Sequence, residues 1–215
     1  MSVWSYFIPR FVLQSHSSYN DEILVVEKEG EFNLLVGGSF QSGKYMRGIW
    51  KKTFDTFQLK NLSVSSILVL GVGGGTAIKL FQTLFPQTQI DAVEIDNTIL
   101  TIADSYFDLK ESETLHLIEG DAKKFLTRSK KKYDLVLVDI FSGPDVPEFV
   151  QKREFFSDIA DHLSVSGTVL FNFLRDHGYE GKIEGMRRIM NQVFLNTREY
   201  PIKHNLFFLA KKNYS

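Results

Sequence analysis

Apolar and polar positions fall into two textures along this chain. Near the start, the runs Glu22–Lys28 and Glu31–Val36 alternate apolar and polar around Glu29-Gly30. Alternation of period two on either side of a short turn predicts a β-hairpin. Gly37-Gly38 then breaks the pattern, and Lys44–Leu59 places Ile49, Trp50, Phe54 and Phe57 at helical spacing. After the turn-like Asn61–Ser66, short apolar runs alternate with longer amphipathic ones. Ile67–Leu70, Ile90–Val93, Leu115–Ile118, Leu135–Val138 and Thr168–Phe171 read as buried parallel strands. Between them, Thr76–Leu84, Asn97–Phe107, Ala122–Thr127 and Val150–Leu163 read as helices.

Strand and helix in strict alternation specify βαβ units and a doubly wound sheet. The ending departs from that rhythm. Glu180–Phe194 reads as a helix, and Arg198–Ile202 and Leu206–Ala210 follow with only Lys203-His204-Asn205 between them. Three residues are too few for a parallel crossover, so these two strands pair antiparallel. The expected fold is a doubly wound α/β, seven-stranded and mostly parallel sheet with a closing antiparallel hairpin. That is the class I methyltransferase, Rossmann-like layout. Residues 1–60 are expected to form an N-terminal hairpin with a connecting helix, and 61–215 the Rossmann-like domain.

Composition narrows the function classes. Among 215 residues, 25 Lys and Arg stand against 26 Asp and Glu, a formal charge of -1. That balance argues against a nucleic-acid or anionic-membrane partner. Basic clusters such as Lys130-Lys131-Lys132 read as solvated cations, with a local RNA-facing patch as the alternative. The absence of cysteine excludes a disulfide framework, a thiolate metal site and a cysteine nucleophile. The five histidines lack paired ligand spacing, so no metal site is expected. No apolar run reaches membrane-spanning length, and Met1–Arg10 lacks a signal pattern, so a cytoplasmic location is the expectation.

The chemistry concentrates at strand ends. Leu70 runs into Gly71-Val72-Gly73-Gly74-Gly75-Thr76, where a buried strand meets glycines and then a helix. Backbone amides in such a turn approach a ligand closely. Glu94, at the end of the next strand, is placed to accept from both hydroxyls of a ribose. Asp121-Ala122 follows the third strand, with Asp121 placed for an adenine amino group; a simple helix cap is the alternative. Asp139 ends the fourth strand, where carboxylates of such sheets line the ligand crevice. Together these residues point to a sulfonium nucleoside. The loop from Phe141 through Glu148 covers the same crevice.

At these residues the sequence resembles the spermidine synthase (polyamine aminopropyltransferase) family and its methyltransferase-like relatives. The likeness runs from about Tyr19 to Phe173 through Gly37-Gly38-Ser39-Phe40-Gln41, the glycine turn, Val93–Asp96, Gly120-Asp121 and Tyr133–Asp139. It implies that Gln41 and Glu94 touch the donor ribose, Asp121 its adenine, and that Asp139 is the catalytic base. Gly71, Gly73, Gly75 and Ala122 complete the expected donor site. It also implies homodimerisation, for which Trp4–Ile8 and the hairpin offer a surface; internal packing is the alternative for that segment.

Three positions depart from the family pattern. An aspartate that holds the donor amine is Gly74 here, and a second aspartate that grips the polyamine is Ser142. Counting puts Trp50-Lys51 where the family has a Tyr-His pair. Two lost anions and a gained cation suit a polyamine poorly. The sequence therefore favours S-adenosylmethionine-dependent methyl transfer to a small-molecule acceptor such as an amine. The alternatives are aminopropyl transfer from decarboxylated S-adenosylmethionine to a di- or polyamine, and a non-catalytic nucleoside-binding module.

Overall fold

The five apolar runs form the parallel centre of a seven-stranded sheet, in a computed structural model that describes residues 8–143, 145–175 and 180–213. They are β5 (Ser66–Leu70), β6 (Gln89–Glu94), β7 (Leu115–Glu119), β8 (Tyr133–Val138) and β9 (Leu163–Leu174). The predicted hairpin follows as β10 (Phe194–Ile202) and β11 (Asn205–Lys212), and the order across the sheet is β10-β11-β9-β8-β5-β6-β7. β11 is antiparallel to both of its neighbours. Helices α2 (Thr76–Leu84), α3 (Asn97–Phe107), α4 (Ala122–Arg128), α5 (Arg153–His162) and α6 (Glu180–Val193) connect the strands.

Alternate residues of each central strand feed opposite faces. Ile67, Val69, Leu135 and Leu137 pack towards α1 (Lys44–Thr56) and α2. Leu68, Leu70, Val136 and Val138 pack beneath α5 and α6. Continuous apolar runs are what strands covered on both faces require. At the bottom of the sheet, Asp91 is buried and accepts from Lys131 Nζ (2.7 Å) and Tyr133 Oη (2.7 Å) and bonds His116 Nδ1 (3.0 Å). Lys131 of the basic cluster thus neutralises a buried carboxylate.

The N-terminal part holds more than a hairpin. β2 (Ile23–Lys28) and β3 (Glu31–Val36) match the expectation, but β1 (Arg10–Ser15) and β4 (Ser39–Ser42) flank them in a four-stranded antiparallel sheet. Gly37 and Gly38, both at positive φ, do not end the structure; they turn the chain from β3 into β4. Ile23, Val25, Leu34 and Val36 of this sheet pack against Ile99 and Ile102 of α3. The expected helix to Leu59 stops at Thr56, because Gln58 is left-handed with φ 55. The expected helix from Val150 begins only at Arg153, since Lys152 is extended (φ -92, ψ 145) and a 3-10 turn precedes it. The suggested docking segment Trp4–Phe7 and the loop residue Pro144 lie outside the described residues. No helix among the described residues is long and apolar enough to cross a membrane.

Candidate active site

The end of β5 is stitched to both neighbours just where the glycine turn begins. Gly71 N donates to Val93 O at 2.9 Å on one side, and Asp139 N donates to Leu70 O at 2.8 Å on the other. Glu94 and Asp139 therefore flank the turn. Gly71 has φ +92, and a Cβ there would lie 2.1 Å from the Asp139 carbonyl oxygen. Only glycine permits that approach.

Glu94 is held by the turn itself. Its carboxylate accepts from Val72 N at 2.9 Å and from Asp96 N at 3.2 Å. Burial pushes its pKa up despite these amides, which pull it down. Asp96 caps α3 through Thr98 N (2.9 Å) and with its other oxygen accepts from Asn20 Nδ2 (2.7 Å) and Ser17 Oγ. That pair of bonds ties the β1–β2 loop to the end of β6 and brings Tyr19 and Asn20 over the crevice.

A cavity of about 260 Å³ opens at these strand ends. Gln41, Gly71, Gly73, Glu94, Asp121, Ala122 and Asp139, all predicted, line it. Gly75 does not: it sits at φ +75 at the head of α2, where a Cβ would meet Leu109 at 2.7 Å, so its part is to shape the turn. Asp121 caps α4, with Oδ1 accepting from Lys124 N at 2.8 Å, and also faces the cavity. Ile95, Ile99 and Phe149 add apolar wall. Apolar walls beside three carboxylates and a turn of backbone amides fit a nucleoside with a cationic tail.

Asp139 is part-buried and accepts from Asn172 Nδ2 at 2.8 Å. Burial pushes its carboxyl up to about 7, opposed by the Asn172 bond and aided by the charge of Glu94. Asn172 in turn accepts from buried Asn205 Nδ2 at 2.8 Å. Sequence reasoning missed both asparagines. A polar residue inside the run Leu170–Phe173 was the available signal, but the expected strand ended at Phe171.

Beyond Asp139 lies a second cavity of about 760 Å³, sharing Gln41, Asp139, Phe141 and Gly143 with the first. Tyr45, Asp145, Asn172 and His204 contribute polar groups to it. Trp50 and Lys51, found there by counting, are elsewhere. Trp50 is buried against Phe54 and Phe207, since it shares the inner face of α1 with Met46 and Ile49, and Lys51 is exposed. Tyr45, at the first turn of α1, lines the chamber instead. The expected intruding cation is absent from the described lining residues, and Asp145 adds a carboxylate.

The spermine/spermidine synthase domain pattern matches residues 58–213. The chain belongs to that family. It is 35% identical over 117 residues to a polyamine aminopropyltransferase of Vibrio vulnificus, covering 53% of this chain and 39% of that one. A probable polyamine aminopropyl transferase of Bifidobacterium longum is 30% identical over 155 residues, 70% of this chain and 34% of its own. The chain thus spans well under half the length of these curated relatives. Among solved structures, spermidine synthase from Thermotoga maritima superposes with a TM-score of 0.79 at 16% identity, over 96% of this chain and 74% of the other. The seven-stranded fold with its N-terminal sheet is therefore shared with spermidine synthase.

Proposed function

We propose that this chain transfers an aminopropyl group from decarboxylated S-adenosylmethionine to a nitrogen of a di- or polyamine. The observation that carries the reading is the position of Asp139, which lines both cavities. Membership in the spermine/spermidine synthase family and the aminopropyltransferase relatives support this chemistry over the methyl transfer that the sequence ranked first. The sequence argument against a polyamine also weakens, because Lys51 is not among the chamber's lining residues and Asp145 is.

In this reading the first cavity holds the donor, with Glu94 and Gln41 toward its ribose and Asp121 toward its adenine. The donor supplies a carbon bonded to cationic sulfur, which leaves as a neutral thioether. The protein's own task is alignment, exclusion of water and removal of one proton from the attacking ammonium. An ordinary aspartate near 3.9 and an alkylammonium near 10.4 leave that proton transfer about 9 kcal/mol uphill. With Asp139 raised to about 7, the cost falls to about 5 kcal/mol. Asp139 Oδ takes the proton as the nitrogen commits its lone pair to carbon.

One observation favours methyl transfer as a second reading. Gly74 leaves the glycine turn without a carboxylate to hold the donor amine, and Ser42 occupies the space beside it. Calorimetric titration with both donors decides between the two. Aminopropyl transfer predicts tighter binding of the decarboxylated donor; tight binding of intact S-adenosylmethionine alone overturns it.

A further inference from the structure

We infer that Asn205 is a positioning residue for Asp139: by donating to Oδ1 of Asn172, it fixes which end of the Asn172 amide meets the carboxylate. The inference rests on the reading above, in which Asp139 takes the proton. The three residues stand at one end of three neighbouring strands. Val138 pairs with Phe171, so Asp139 and Asn172 follow side by side after that pair. Asn172 pairs with Phe207 on β11, and Asn205 lies two residues before Phe207, on the same face. Asn205 Nδ2 donates to Asn172 Oδ1 at 2.8 Å, and Asn172 Nδ2 donates to Asp139 Oδ1 at 2.8 Å. Asn172 and Asn205 are only 3% and 8% exposed, so water is a poor substitute for either partner.

A side-chain amide has a donor end and an acceptor end, and an ionised carboxylate only accepts. With Nδ2 toward Asp139, Asn172 supports the ionised form, which is the form able to take a proton. Turned over, it would present Oδ1, which a carboxyl satisfies only by keeping its proton and donating it. The contact with Asp139 alone allows both arrangements. Asn205 removes the second, because turning Asn172 over would set one NH2 group against another in a buried place. Asn205 is itself held by the closing hairpin. As the first residue of β11 it pairs with Ile202 across the turn Lys203-His204 and with Leu174 on β9. Lys203 takes φ +53 to make that turn, and Arg175 N donates to His204 O at 3.0 Å, tying the turn to the end of β9.

The test replaces Asn205 with Leu, similar in size but unable to donate, and with Gln, which keeps the amide and can extend into the second chamber that Asn205 lines. The other titratable side chains around Asp139 stay as they are: Tyr19, Glu94 and Asp121 in the first cavity, and Tyr45, Asp145 and His204 in the second. One readout is the pH profile of kcat/KM with decarboxylated S-adenosylmethionine and 1,4-diaminobutane. The other is the carbon-13 NMR titration of the Asp139 carboxyl in substrate-free protein, assigned with Asp139→Asn. We expect both to move up by about half to one pH unit in Asn205→Leu, the worth of one hydrogen bond. The kcat/KM of that variant then falls about three- to tenfold at pH 6 and rejoins the wild type at pH 9. Loosened packing alone would lower it at every pH. Asn205→Gln should titrate with the wild type. Should the leucine variant not fold, Asn205→Ala gives the same direction of shift, because a water entering there can donate or accept and holds no orientation. An unmoved titration without the Asn205 amide, or an equal shift in Asn205→Gln, overturns the inference. A shifted titration in protein that binds donor but transfers nothing overturns the transfer reading and leaves the role of Asn205 standing.

Discussion

The side-chain amide of Asn172 donates to Oδ1 of Asp139 at 2.8 Å, across the parallel pair β8–β9. This bond stabilises the charged carboxylate and so holds its pKa below the level that burial alone would set. Replacing Asn172 with Leu should therefore move the rising limb of kcat/KM to higher pH from its expected place near 7. The same limb in kcat should lie lower than in kcat/KM, because a bound sulfonium favours the ionised form. Asn172→Leu should also lose about 1–3 kcal/mol of stability, since the buried Asn205 amide is left without its acceptor. Steady-state pH profiles and thermal melts check both.

Asp139 should make folding weaker as pH rises. Its carboxyl titrates near 3.9 in the unfolded chain and near 7 in the fold, so the folded state binds the proton more tightly. Between those values the unfolded chain is ionised while the folded carboxyl is still being deprotonated at a cost. The penalty is absent below about pH 4, grows through the interval and is complete above pH 7. Asp139→Asn should accordingly be more stable than the wild type by of order 2–4 kcal/mol at pH 8 and by less at pH 5, while losing turnover. Denaturant unfolding at the two pH values measures the difference.

Asn20 is expected to control donor affinity without touching the chemistry. Its bond to Asp96 ties the β1–β2 loop to the end of β6, and the loop residues Tyr19 and Asn20 line the donor cavity. Asn20→Ala should raise the donor Kd by about three- to tenfold, in keeping with one lost hydrogen bond of about 1 kcal/mol. The melting temperature should change little, because the loop is at the surface. Calorimetric titration supplies the Kd.

Gly74 is constrained by packing rather than by backbone angle. A Cβ there would lie 2.7 Å from both Cβ and Oγ of buried Ser42, and 3.1 Å from the Phe107 ring. Ser42 Oγ also accepts from Gly74 N at 2.8 Å. Gly74→Ala should cost about 1–3 kcal/mol through overpacking. Adding Ser42→Gly should recover part of it. Equal losses in the single and double variants, seen in thermal melts, would contradict this packing account.

Much of this was legible because buried strands and glycine turns leave local signatures. Leu68–Leu70 running into Gly71, and the acids Glu94, Asp121 and Asp139 at successive strand ends, picked out residues that line the first cavity without a structure. What stayed hidden depends on contacts between distant segments. β1 is half-exposed and lacks clean alternation, and β4 is four residues long behind two glycines, so neither had a pattern to read. Asn172 fell just past the expected end of its strand at Phe171, although it bonds Asp139 33 residues away. Counting set Trp50-Lys51 where the family has a Tyr-His pair because counting takes no account of helix rotation. On α1, the apolar stripe turns Trp50 inward and leaves Tyr45 at the chamber.

The central claim is that Asp139 serves an aminopropyl transfer from one cavity to the other. The most direct measurement is product formation by the purified chain, followed by mass spectrometry, from 1,4-diaminobutane with each donor in turn. The account predicts addition of an aminopropyl group from decarboxylated S-adenosylmethionine, abolished in Asp139→Asn although that variant still binds donor. A methylated amine from intact S-adenosylmethionine, with no aminopropyl product, would contradict it.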